Sequence, residues 1–104
     1  MRARTELHEI LCDILGSRNV YFEPPESVKL HYPCIVYNFE GLDRIKANNG
    51  NYRTMGRYSL TVISTNIGTV IGPVVKRLLE LPYSSYGRPF DADGLLHETL
   101  DLYY

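Results

Sequence analysis

PCIVYNFEGLDRIKANNGNYRTMGRYSLTVIS, residues 33–64, is the stretch on which the fold turns. Its opening, Pro33 to Phe39, is β-branched and aromatic, the composition of a largely buried strand. Its close alternates Tyr58, Leu60 and Val62 on one face with Ser59 and Thr61 on the other, the period of a strand with one face buried. Between them the turn formers Gly41, Asn48, Asn49, Gly50 and Asn51 predict a long loop from Glu40 to Asn51, with strand resuming near Tyr52. The two strands form one long hairpin that sets Tyr37 beside Tyr58. Such a hairpin must bury its apolar face against something, and its flanks supply the material.

Upstream, Leu7, Ile10, Leu11, Ile14 and Leu15 recur at helical spacing and make one apolar stripe. Thr5 is the expected N-cap, Glu6 suits the first turn, and Gly16 is a natural stop, so the first helix spans about Glu6 to Leu15. Val20-Tyr21-Phe22 reads as a short strand cut off at Glu23-Pro24-Pro25, where two residues lack the N–H a ladder needs. Downstream, Asn66 to Leu81 is the second helical candidate. Pro73 is tolerated only in a first turn, so the helix begins there, turns Val74, Val75, Leu78 and Leu79 inward, and ends before Pro82. Tyr83 to Gly87 reads as an irregular crossing, followed by Phe90 and a turn at Asp93-Gly94. The last residues alternate Leu96, Glu98, Leu100, Leu102 and Tyr104 against His97, Thr99, Asp101 and Tyr103, a final strand. The order is α-β-β-β-α-β-β. It predicts an α+β fold in two layers, a mainly antiparallel sheet with two helices on one face, as a single domain over 1–104 with a long hairpin loop at about 41–57.

Composition agrees. A chain of 104 residues with 44% hydrophobic and 22% charged residues is ordinary for one globular domain. A net charge of −1 lacks the positive excess of a dedicated nucleic-acid binder. Two cysteines are too few for a disulfide framework, no apolar run is long enough to span a membrane, and MRARTELHEIL carries no leader-like apolar segment, so a soluble intracellular domain is expected. Nine tyrosines with no tryptophan stand out. Tyrosine joins a large apolar body to a polar tip, which suits sheets and also protein interfaces.

Candidate chemistry is thin. His8 and Cys12 sit one helical turn apart, and His31 and Cys34 would complete four zinc ligands, but the spacing fits no finger or ribbon and Cys12 suits the core. Cys34 with His97 and Asp101 is the one nucleophile group to consider, yet an apolar strand blunts a thiol. Asp91 and Asp93 beside Gly94 read as turn chemistry. No phosphate loop or nucleophile elbow is present, so no enzyme activity, cofactor or metal is expected. Charge is more informative. Arg44, Lys46, Arg53 and Arg57 against Asp43 alone give residues 41–57 a local +3, leaving about −4 on the remainder. A positive protrusion on a negative body can drive self-association or docking on an acidic partner.

Read in order, RTELHEILCDILGSRNVYFEPPESVKLHYPCIVYNFEG (4–41), NNGNY (48–52), RYSLTVIS (57–64) and LLELPYSSYGRPFDADGLLHETLDLYY (78–104) resemble the tail terminator, or head-to-tail joining, proteins of long-tailed bacteriophages. The most distinctive pieces are VYFEPPESVKLHYPCIVY (20–37), LPYSSYGRPF (81–90) and LLHETLDLYY (95–104). The chain departs from that group after the TVI strand, where an acidic, proline-containing stretch is replaced by NIGTVIGPVV (66–75).

The resemblance implies a virion assembly protein of the head–tail junction, made in the host cytoplasm. Six copies would form a ring that caps the tail tube, stops its polymerisation, and meets the connector or stopper of the filled head. DNA would pass through without specific binding. A closed ring needs a heterologous interface, for which Arg44, Lys46, Arg53, Arg57, Tyr83, Tyr86, Arg88, Tyr103 and Tyr104 are the candidates. Two alternatives stand beside it. One is a stopper or adaptor on the head side. The other is a nucleic-acid module using the basic hairpin with Tyr52 and Tyr58 as stacking platforms.

Overall fold

A computed structural model describes residues 3–46, 50–65, 72–92 and 94–104. Its elements are α1 (Arg4–Leu15), β1 (Val20–Phe22), β2 (Cys34–Lys46), β3 (Tyr52–Ser64), α2 (Gly72–Leu79), β4 (Ser84–Ala92) and β5 (Leu95–Tyr103). This is the α+β fold in the expected order. The five strands make one mixed sheet in the order β1-β2-β3-β5-β4. Only β1 and β2 run parallel, with Val20 opposite Ile35 and Phe22 opposite Tyr37. The other three pairings are antiparallel.

Position in the sheet follows composition. β5 lies between two neighbours and buries Leu100 and Leu102, whereas β4 is exposed along most of its length and forms an edge. β1 is a three-residue edge strand. The hairpin register sets Tyr37 opposite Leu60 and Phe39 opposite Tyr58, so Tyr37 and Tyr58 are diagonal neighbours with ring centroids 6.1 Å apart.

Helix α1 buries Leu7, Leu11, Cys12 and Ile14 against the sheet, and Gly16 ends it in a left-handed conformation with its N–H on the Cys12 carbonyl at 2.9 Å. The N-terminus differs from expectation. Ala3 occupies the cap position and Thr5 lies inside the helix, with the Glu6 N–H on the Ala3 carbonyl at 3.1 Å. Helix α2 starts at Gly72 with Pro73 in its first turn, the one place where a missing N–H is harmless. It buries Val74 and Leu78 and half-buries Val75, but Leu79 is 41% exposed. Eight residues present only a narrow stripe, and Leu79 falls outside it. Arg77 ties the two helices together by donating to the Asp13 and Ile14 carbonyls near the α1 C-terminus, where a cation is favoured.

The expected loop from Glu40 to Asn51 is mostly strand. Pairing continues from Gly41–Arg57 through Leu42–Gly56 to Lys46–Tyr52. Gly41 does not turn the chain. It sits at a bulge, with φ of 141°, where the register slips between Phe39 and Gly41. The expected irregular crossing at 83–87 is likewise strand from Ser84 onward, with its own bulge between Tyr86 and Pro89. Residues 66–71, including most of NIGTVIGPVV, and Asp93 of the Asp93-Gly94 turn lie outside the described residues.

A candidate contact surface at the ribbon and its root

The outer half of the hairpin is a two-stranded ribbon. β1 accompanies β2 only to Tyr37, and β5 accompanies β3 only to the Gly56–Tyr104 pair, whose N–H groups donate to each other's carbonyls at 3.1 and 2.8 Å. Beyond these points the four pairs from Asp43–Met55 to Lys46–Tyr52 have no flanking strand among the described residues. Arg44, Lys46 and Arg53 are exposed here, and the Arg44 guanidinium lies 4.7 Å over the Tyr52 ring.

Arg57 does not share that role. Its guanidinium donates to Asp43 Oδ2 at 2.8 Å and to the Glu40 carbonyl at 3.2 Å, and Tyr103 donates its hydroxyl to the same Asp43 oxygen at 3.1 Å. The Asp43 carboxylate holds Arg57 firmly protonated. The group braces the ribbon root and neutralises one cation, so the +3 of the sequence is carried outward by Arg44, Lys46 and Arg53.

At the root is a mainly apolar cavity of about 290 Å³. Leu7 and Ile10 of α1, Arg53 and Met55 of β3, Leu81, Pro82 and Tyr83 after α2, and Leu102, Tyr103 and Tyr104 line it. Four expected contact residues, Arg53, Tyr83, Tyr103 and Tyr104, thus meet around one space. Tyr83 adopts a positive φ of 60° and accepts the Tyr103 N–H at its carbonyl, 3.1 Å away. Tyr104 is largely spent on its own chain: it is 9% exposed and its hydroxyl donates to Glu6 at 3.1 Å. Sequence reasoning assigns Leu7 and Ile10 to the core stripe and gives no role to Met55, because nothing local marks a cavity assembled from four distant segments.

Tyr86 and Arg88 lie elsewhere, along β4. The Tyr86 hydroxyl donates to Glu98, which pushes the phenol pKa up, and the Arg88 backbone exchanges hydrogen bonds with the Thr99 hydroxyl across the bulge. Tyr58 is 2% exposed and offers no face to a base, and Arg44 covers one face of Tyr52, so the proposed stacking platforms are not both open.

The chemical candidates are dispersed. Cys34 alternates away from Ile35 and Tyr37, which meet the helices, so it does not join His8 and Cys12. His8 instead places Nδ1 2.8 Å from the Tyr37 hydroxyl, to which Arg4 donates at 3.1 Å. His31 gives its backbone N–H to the Tyr21 hydroxyl. Cys34 is separated from His97 by Ile63 of the intervening β3. Burial pushes its thiol up to about 11, and His97 stacks on Phe90 with centroids 4.6 Å apart. Among the described residues, no group of three or more His, Cys, Asp or Glu is placed to hold a metal, and no helix is long and apolar enough to cross a membrane. In comparisons with known proteins, the sequence matches no family model and no curated protein.

Proposed function

We propose that this chain is a structural assembly subunit that forms a ring capping the end of a phage tail tube and joining the tail to the head connector. The observation that carries the reading is the ribbon: four strand pairs, with three exposed cations, that no further strand flanks on either side among the described residues. Unflanked two-stranded ribbons are marginal in water, and a domain that keeps one has a use for it at a contact. The molecule is drawn out to 45 × 28 × 22 Å. The apolar cavity at the ribbon root and the sequence resemblance point the same way.

Arg44→Glu with Lys46→Glu tests the reading. Both side chains are exposed, so the monomer should melt as the wild type does. Each exposed pair contributes only about 0–1 kcal/mol, but a ring repeats every contact. Tails assembled with the double variant should overgrow or fail to join heads in electron micrographs. Tails of normal length that join heads fully would remove the ribbon from the mechanism.

A further inference from the structure

The outer edges of β1 and β4 are guarded, whereas the ribbon leaves two bare edges, one on β2 and one on β3. β1 is three residues long and runs into Pro24-Pro25, and the outer edge of β4 is broken by a bulge and Pro89. These are devices that stop strand addition. The ribbon edge of β3 has none of them. Because Gly56 exchanges hydrogen bonds with Tyr104, strand alternation turns the N–H and C=O of Thr54 and Tyr52 to the same side. No described residue pairs with them there. Beside this edge lies the 290 Å³ cavity, with Arg53 on its rim.

We propose that this edge takes up an extended, acidic segment of a partner protein. The segment adds to β3 at Tyr52 and Thr54, collinear with β5, and places one large apolar side chain in the cavity lined by Leu7, Met55, Leu81 and Leu102. Main-chain hydrogen bonds supply affinity in such strand addition, and the pocket supplies selectivity. Charge selects the partner: Arg53 lies on the edge strand, Arg44 and Lys46 lie on the adjacent β2 with Arg44 reaching over Tyr52, and Asp43 is already held by Arg57. A second copy is a poor donor. Its own ribbon brings the same cations, its Glu98 and Asp101 lie in a strand bonded on both sides, and its segment with Glu23 and Glu26 contains Pro24 and Pro25. The inference deepens the reading of the ribbon as a contact surface by specifying the chemistry it contacts.

The test titrates the isotope-labelled full chain with a nonapeptide alternating leucine and glutamate, and with its lysine-for-glutamate counterpart. The acidic peptide should shift the Tyr52 and Thr54 amide resonances and slow their hydrogen exchange at least tenfold at saturation, and the lysine peptide should do neither. Thr54→Pro removes a donor that serves no bond within the chain, so it should keep the fold and abolish binding. Arg53→Glu should weaken binding about tenfold. Equal binding of both peptides, no binding of the acidic one, shifts elsewhere, or unchanged binding by Thr54→Pro would overturn the proposal. Protection of Thr54 without peptide, accompanied by a doubled or higher mass, would also overturn it by assigning the edge to a second copy. Tail capping is read separately, so the ribbon's part in assembly can stand when this edge fails, or fall when it binds.

Discussion

Leu11 has no exposed surface and sits at the centre of the α1 stripe, so Leu11→Asp places an unpaired charge among Leu7, Tyr37 and Leu60. That costs several kcal/mol against a total stability of about 5–15 kcal/mol, and circular dichroism should show an unfolded chain. His8 gives a subtler signal. Burial, and then the charge of Arg4, lower its pKa below the usual 6.5. The folded state therefore favours the neutral ring, and stability present above 6.5 is lost as pH falls towards the lowered value. The melting temperature should drop between about pH 7 and about pH 5, and His8→Gln should reduce that drop. Leu11 was legible from spacing alone. The Arg4–Tyr37–His8 contact was not, because it spans 33 residues and no local pattern encodes which helix turn a strand residue meets.

Among the elements, β4 shows how one small residue permits a pairing. A side chain on Gly87 would bring its Cβ within 2.5 Å of the Thr99 hydroxyl and 3.0 Å of the Thr99 carbonyl, both fixed by the bulge. Gly87→Ala should therefore cost about 1–3 kcal/mol, read as about 4–8 °C of melting temperature per kcal/mol. The same strand explains a limit of sequence reading. Tyr83 to Gly87 has the composition of a loop, yet β5 offers it a partner edge from Leu102 to Leu100, and the ladder overrides local preference. The ribbon repeats the lesson. Gly41 and the charged residues of 41–46 argue for a loop until pairing with 52–57 satisfies their backbone, whereas Cys34–Phe39 and Tyr58–Ile63 carry their own strand pattern.

At the scale of the molecule, the two thiols report on global opening. Cys12 is 4% exposed within the helical layer, Cys34 is fully buried in the sheet, and burial raises both thiol pKa values. A thiol reagent at neutral pH should label neither at an appreciable rate in the native state and both in denaturant, and fast labelling of Cys34 alone would mean the sheet opens locally. Element order, fold class and core were readable from the sequence because periodicity carries them. The cavity and the unflanked ribbon edges were not, because they depend on which distant segments meet. The strand order has one more effect, on synthesis. β5 follows β4 in the chain but lies between β3 and β4 in the sheet. During translation, β4 is thus made before the one strand it pairs with. At roughly 5–20 residues per second the wait is about a second. Until β5 is in place Tyr58 and Leu60 lack their neighbours Leu102 and Leu100, so a released chain cut before Leu95 exposes the surface for which a chaperone would compete.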